Sequence, residues 1–227
     1  MSVRTTTPTC HVWPVIICSV FMTSLIPLDA GSQQNIPTVT RPSPPPDTDY
    51  FPPSDSYSPV IFSLAWASEP SLYVASKDPT LVSYRIGWLH YMGGQSGVVR
   101  LVIKPDGSGQ LICSLVSIKK TEEVKRTQSS VSVAEVEKFL QLVEAARFWS
   151  MPTKQPQPGK DSGGHTNYVL DGTPWLAEGV RGGSYHAVWR DSLAPGYFTE
   201  ILRYLAKDMA KIDDAVIKIP RYNPPIK

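Results

Sequence analysis

Residues 165–191 have the sequence HTNYVLDGTPWLAEGVRGGSYHAVWRD, and the prediction of the fold depends most on this stretch. Asp171-Gly172 and Gly182-Gly183 are residue pairs typical of two-residue hairpin turns. The residues around them alternate between apolar and polar, which is the period of a β-strand. The stretch therefore predicts three short antiparallel strands joined by two tight turns.

The two turns also sort the side chains of these strands onto two faces. Whether the first turn is Asp171-Gly172 or Gly172-Thr173, the same residues share a face, and Glu178 lies opposite His165 or Asn167. A three-residue second turn would exchange the faces of the last strand. With two-residue turns, one face collects His165, Asn167, Val169, Leu176, Glu178, Val180, Tyr185, Ala187 and Trp189. The other face collects Thr166, Tyr168, Leu170, Trp175, Ala177, His186, Val188 and Arg190.

The first of these faces holds the residues best suited to chemistry. A carboxylate beside an imidazole is the minimum set for general acid–base catalysis, so Glu178 and His165 are the catalytic candidates. Asn167 and Tyr185 would share their surface and are predicted to bind a ligand. The alternative is a solvated ladder in which Glu178 and His165 only pair with each other.

The second face offers a different kind of contact. Trp175 lies near Arg190 in the predicted pairing, which suggests a cation–π contact or a shallow ligand-binding platform. Ordinary packing beneath a helix is the alternative.

Several classes of site are disfavoured by the residue patterns. His90, His165 and His186 are too far apart for a local metal motif, and the chain has no C-x-x-C pair, P-loop, G-x-G-x-x-G or G-x-S-x-G. No metal and no cofactor is therefore predicted. A formal net charge of +2, with no basic stripe, argues against nucleic acid as a partner.

The N-terminal residues 1–30 resemble a signal peptide. Arg4 precedes an apolar run over residues 12–28, and Ala30-Gly31-Ser32 fits a cleavage site. The prediction is an exported protein, periplasmic or secreted. An uncleaved membrane anchor is the alternative, because the run is about as long as the shortest spanning helices.

Cysteine usage agrees with a fold that does not depend on disulfides. Cys10 and Cys18 lie in the targeting segment, which leaves Cys113 alone in the mature chain. Cys113 falls in an apolar strand pattern and is interpreted as a buried small hydrophobe.

Composition divides the rest of the chain into three parts. Residues 31–59 are rich in Pro, Ser, Thr and Asp and are predicted to form a disordered, extended spacer. Residues 60–216 are predicted to form a single domain, and residues 217–227 an extended C-terminal tail. Within the domain, the alternation of apolar residues over 60–66 permits a strand.

The order of strands and helices indicates the fold class. Alternation predicts a strand over 84–88, a hairpin of 98–103 with 110–118 about a Pro-Asp-Gly turn, and an edge strand over 124–130. Ser132 and Glu135 fit a capping box that begins a helix, and a second amphipathic helix follows Pro195. Grouped strands between helices predict an α+β domain: an antiparallel sheet of about six to seven strands with two amphipathic helices packed on one face.

One resemblance follows from these motifs. The run Asp171-Gly172, Trp175, Glu178-Gly179, together with Phe148-Trp149 at the end of the preceding helix, is similar to a hairpin in a family of uncharacterised, often exported bacterial proteins. The likeness supports the predicted fold, carries no activity with it and leaves the function open. The chain departs from the pattern at Trp189-Arg190.

Three functional hypotheses follow. The first is an exported, non-enzymatic domain that binds a protein or small-molecule ligand through the strands of 165–191. The second is a small cell-envelope hydrolase that uses Glu178 with His165 as an acid–base pair. The third is a tethered structural protein of the envelope. The lack of a nucleophile, metal or phosphate motif favours the first.

Overall fold

One antiparallel sheet of seven strands forms the body of the protein. The computed structural model describes residues 34–36, 50–52, 59–90, 94–117, 124–154 and 172–222. The strands lie in the order β1-β5-β4-β3-β2-β6-β7. Their bounds are β1 Gln34–Ile36, β2 Val82–Trp88, β3 Gln95–Ile103, β4 Gly109–Ser117, β5 Val124–Val131, β6 Trp175–Arg181 and β7 Ser184–Arg190. The predicted α+β class with an antiparallel sheet is confirmed.

The helices are short. They are α1 Ile61–Trp66, α2 Leu72–Ala75, α3 Val133–Ala145 and α4 Tyr197–Arg203, with a 3₁₀ turn at Phe148–Ser150 and a π-helical segment at Tyr204–Met209 that continues α4. Among the residues described, no helix has both the length and the apolar character needed to cross a bilayer.

Local turn chemistry explains both hairpins. In the β3–β4 hairpin, Asp106 Oδ1 accepts hydrogen bonds from the backbone and hydroxyl of Ser108, and Gly107 adopts φ +83°. In the β6–β7 hairpin, Gly182 and Gly183 adopt φ +58° and +78° and bring Arg181 opposite Ser184. Positive φ at both central residues is what a type I′ turn requires, and glycine adopts it without steric cost.

The two-residue turn confirms how the side chains of β6 and β7 were sorted. Leu176, Glu178 and Val180 lie opposite Trp189, Ala187 and Tyr185, and the remaining residues of both strands point to the other face.

The predicted neighbour of β6 is wrong. β6 pairs with β7 on one side and with β2 on the other, so that Glu178 lies opposite Arg85. Both edges of β6 are therefore occupied by described strands. His165 and Asn167, the partners expected for Glu178, lie outside the described residues.

The structure also differs from three smaller predictions made from the sequence. Residues 61–66 form helix α1 rather than a strand, because Ile61 and Ala65 recur at helical spacing and bury the same side of the segment. β5 is not at the sheet edge, since β1 pairs with it from outside. Where it is described, the predicted spacer contacts the domain: it contributes β1, and Tyr50 and Phe51 are buried.

Buried apolar side chains form two clusters. The larger joins alternate residues of β2–β7 to α3, α4 and the π-helical segment, including Tyr84, Trp88, Phe139, Trp175 and Leu205. The smaller joins residues that alternate with them, such as Val98 and Leu176, to α1 and to Tyr50 and Phe51. Side chains from both sides of the sheet are therefore buried, and Cys113, the cysteine within the described ranges, is a free, buried thiol.

The glycine after Glu178 is explained by this packing. A Cβ at Gly179 would lie 2.9 Å from a ring atom of Phe148 and 3.1 Å from one of Tyr84. The absence of a side chain lets both rings lie against the sheet.

The capping box of α3 generates the first prediction. Ser132 Oγ accepts the amide of Glu135, and Glu135 Oε2 accepts the amide of Ser132, as predicted. Ser132→Ala should lower the free energy of unfolding by about 1 kcal/mol, because it leaves helix amides unsatisfied. Urea denaturation measures this change.

The matched control is Ser130→Ala, at an exposed position of β5. It should alter stability by less than about 0.5 kcal/mol. The hydrogen bonds from Ser132 lower the pKa of Glu135, so the cap's contribution is present above the carboxyl's ordinary pKa and fades as the pH falls through the lowered one. Equal losses in the two variants would contradict the assignment of Ser132 as the cap.

Candidate functional site

Glu178 forms a buried ion pair with Arg85 across β6 and β2. Arg85 Nε donates to Glu178 Oε2 at 2.7 Å, and Nη2 lies 2.6 Å from the same oxygen, close enough for charge contact although it is poorly aligned for a hydrogen bond. Both side chains are fully buried. Arg85 Nη1 donates to the carbonyl of Pro70 at 2.6 Å.

A second carboxylate completes the cluster from outside the sheet. Arg85 and Arg100 are cross-strand partners, an arrangement in which two like charges repel. Glu69, in the loop between α1 and α2, places Oε2 2.6 Å from Arg100 Nε and 3.7 Å from Arg85 Nη1. Its other oxygen is 3.8 Å from Arg126 Nη2. Glu69 therefore offsets the repulsion and holds the loop against the sheet.

Burial and charge act in opposite directions on these groups. Burial lowers the pKa of Arg85, but Glu178 and Glu69 outweigh it, so the pKa of this guanidinium is raised. Burial raises the pKa of the Glu178 carboxyl, and Arg85 and the Tyr185 hydroxyl, which donates to Oε1 at 2.9 Å, oppose that rise. Arginine keeps its proton, so a neutral Glu178 would leave a buried cation less compensated.

The burial of Glu178 argues against a catalytic role for its carboxylate. A raised pKa suits a general acid, but Glu178 is 1% exposed, and Tyr73 of α2 packs edge-on against Tyr185 at 5.6 Å between ring centroids. A substrate would have to displace the cover formed by 69–75 to reach the carboxylate. In this geometry the carboxylate is paired with Arg85 and closed off from solvent.

The other predicted site residues are dispersed. The hydroxyl of Tyr185 donates to Glu178. Arg190 is the cross-strand partner of Trp175, yet its guanidinium lies over Phe198, 5.3 Å from the ring centroid, so the cation–π contact forms with a different ring. Arg190 also donates to the carbonyl of Pro152 at 3.2 Å. His165 and Asn167 lie outside the described residues.

A cleft of about 450 Å³ lies at the end of the sheet where β6 begins and β7 ends. We call it the C-terminal cleft. Its apolar wall is formed by Trp175, Leu193, Val216, Ile217 and Pro220, and its polar groups are supplied by His90, Thr173, Ser192, Asp214 and Lys218. Of the predicted site residues, Trp175 lines this cleft.

Packing positions the imidazole and the indole of the cleft. His90 Nδ1 is 3.3 Å from Thr173 Oγ1, and burial lowers the pKa of His90, which keeps the ring neutral near pH 7. Gly94 makes room for the imidazole, because a Cβ there would lie 2.8 Å from it. Trp175 packs against Trp88 with ring centroids 5.9 Å apart, so its orientation is determined by the core.

The hydrogen bonds of the cleft do not assemble a catalytic chain. His90 is joined to Thr173, whereas Asp214 is joined to Lys207 at 2.7 Å, so the carboxylate is engaged away from the imidazole. Among the described residues, no group of three His, Cys, Asp or Glu side chains is placed to hold a metal ion. The arrangement provides hydrogen-bonding groups on an apolar wall.

Sequence reasoning missed both Arg85 with Glu69 and most of the cleft. An arginine inside an apolar strand, as in Tyr84-Arg85-Ile86, is a signal of a buried ion pair, because a buried guanidinium requires a partner. The cleft had no such signal, since it combines distant segments.

Two comparisons with known proteins found no match. No protein-family model matches the chain, and no curated sequence matches it significantly.

The buried pair generates the second prediction. Glu178→Gln should lower the free energy of unfolding by about 3 kcal/mol, because the guanidinium of Arg85 loses its closest counter-charge in the interior. Chemical denaturation followed by tryptophan fluorescence measures the loss.

Glu144→Gln is the matched control. Glu144 forms an ion pair with Arg181 at 3.1 Å, but both side chains are largely exposed. This variant should change stability by less than about 1 kcal/mol. Similar losses of unfolding free energy in the two glutamine variants would show that burial does not determine how much the Arg85–Glu178 pair contributes to stability.

Proposed function

We propose that the chain is an exported, non-enzymatic domain that binds a small ligand in the C-terminal cleft. The observation that carries the proposal is the cleft itself: a concavity of about 450 Å³ with an apolar wall and a few convergent polar groups. Ligand sites of proteins typically have this size and this mixture of surfaces.

The lining defines the class of ligand. Trp175, Leu193 and Val216 offer apolar contact, while Thr173, Ser192 and neutral His90 offer hydrogen bonds. Lys218 and Asp214 supply one charge of each sign, so neither strongly anionic nor strongly cationic ligands are favoured. We expect an uncharged or zwitterionic molecule with an apolar body and one or two hydrogen-bonding groups.

This proposal keeps the 165–191 stretch as the binding region but moves the site along it. Thr173, Trp175 and Ser192 mark the ends of β6 and β7 that line the cleft, whereas Glu178 and Tyr185 lie within the strands and contact each other. The hydrolase hypothesis depended on Glu178 being reachable, and its burial argues for the binding hypothesis.

The proposed export rests on features of the sequence. The signal-like residues 1–30 and the likeness to exported bacterial proteins support a periplasmic or secreted location, with an anchored form as the alternative. We further propose that α3 and α4 cover the same face of the sheet; their membership of one apolar cluster supports this arrangement.

A fragment screen on the full chain tests the site. Fragments of the stated class should shift the thermal midpoint, and Ser192→Trp should weaken every such fragment at least about tenfold, because an indole would fill a cleft of this volume. Affinities are measured by titration followed by NMR or calorimetry.

Tyr185→Phe is the discriminating variant. It removes the hydroxyl that donates to Glu178 and leaves the cleft unchanged. Fragment affinities should match those of the original chain. Loss of binding in Tyr185→Phe, with binding retained in Ser192→Trp, would move the site to Glu178 and overturn the proposal.

A further inference from the structure

Residues 213–220, the C-terminal strap, form a wall that two cavities share. Asp214–Lys218 line the C-terminal cleft. Asp213 and Val216 line a second cavity of about 300 Å³, whose lining also includes Cys113 and Thr127. Val216 lines both cavities. The strap therefore separates the cleft from the side chains of β4 and β5.

Among the described residues, the strap makes few hydrogen bonds to the body of the domain, and just beyond it the Tyr222 amide donates to Glu200 Oε1 of α4 at 2.7 Å. The backbone hydrogen bonds of its first turn are internal: the amides of Val216 and Ile217 donate to the carbonyl of Asp213. Ile217 and Ile219 are buried and attach the strap through apolar contact. Such an attachment can be undone without breaking the sheet.

Lys207 supplies the polar attachment. Its ammonium donates to the carbonyl of Ile217 and lies 2.7 Å from Asp214 Oδ1. The Asp214 side chain is 81% exposed, whereas that of Lys207 is 13% exposed. One side chain thus holds the strap at two points, Asp214 and Ile217, which lie seven and ten residues after Lys207 in the chain.

The connection between Lys207 and the strap carries two irregular features. Lys207 belongs to the π-helical segment Tyr204–Met209, and π-helical turns are rare and often occur at functional sites. Lys211 then adopts φ +56°, a left-handed conformation that is unfavourable for a residue with a Cβ. This strained residue is placed where a hinge would be.

We propose that the C-terminal strap is the movable wall of the cleft, hinged at Lys211 and latched by Lys207. Opening the latch merges the two cavities and exposes Cys113, and a ligand in the cleft favours the closed strap. The part that concerns the ligand rests on the proposed function; the latch itself does not.

Alkylation of Cys113 by N-ethylmaleimide reports the opening. Burial raises the pKa of this thiol to about 12, so the closed protein should react slowly. The full chain is labelled under native conditions, and mass spectrometry of the Cys113 peptide separates it from Cys10 and Cys18. Lys207→Met should raise the labelling rate at least tenfold, while Lys207→Arg should retain a slow rate because it preserves the charge.

Lys104→Met is the matched control, since Lys104 is an exposed lysine in the β3–β4 turn. Its labelling rate should equal that of the original chain. A Lys207→Met rate within twofold of the original, at an unchanged thermal midpoint, would overturn the proposal.

Asp214→Asn decides the matter if Lys207→Met fails to fold. Asp214 is exposed, so this variant weakens the latch without disturbing the core, and its labelling should rise at least threefold. No rise in Asp214→Asn would then count against the latch. The labelling experiment contains no ligand, so it tests the latch separately from the proposed function. Faster labelling of the latch variants together with failed fragment binding would support the latch and contradict the proposed function. Unchanged labelling together with successful fragment binding would contradict the latch and support the proposed function.

Discussion

The contact between Arg85 and Glu178 is the constraint on which the rest of the structure depends. It crosses the junction of β2 and β6, the place where the N-terminal strands meet the C-terminal hairpin. Both charges are buried, and removal from water costs several kcal/mol for each ion, so neither is tolerated without the other. The pair thus specifies which strand β6 joins and in which register. Glu69 extends the constraint to the loop between α1 and α2, because its carboxylate bridges Arg85 and Arg100.

This constraint also bears on where the proposed ligand site lies. The face of the sheet that carries Arg85 and Glu178 is closed by 69–75; there Glu178 accepts hydrogen bonds from Arg85 and Tyr185, and Arg85 also donates to the carbonyl of Pro70. The end of the sheet differs, because there β6 begins, β7 ends and the strap passes over both. Hydroxyls and a neutral imidazole remain there beside an apolar wall. We propose that the sheet supports a ligand site at this end and that the strap is a movable wall of that site.

Local features of this fold could be predicted from the sequence, whereas distant pairings could not. The capping box at Ser132, the Pro-Asp-Gly hairpin and the faces of β6 and β7 follow from interactions within a few residues, and all three were predicted correctly. The pairing of Arg85 with Glu178 joins residues 93 positions apart, and no local period encodes it. Helix α1 was missed because six residues of apolar sequence fit either period. The cleft combines four separate segments and so had no sequence signature.

A double-mutant cycle on Arg85 and Glu178 tests the central claim most directly. Arg85→Met, Glu178→Leu and the double variant are unfolded in urea, and the coupling free energy is calculated from the three losses. We expect each single variant to be less stable than the double variant, with a coupling of about 2–3 kcal/mol, because each single change strands a buried charge. Additive losses, with the double variant the least stable of the three, would contradict the claim that this pair organises the fold.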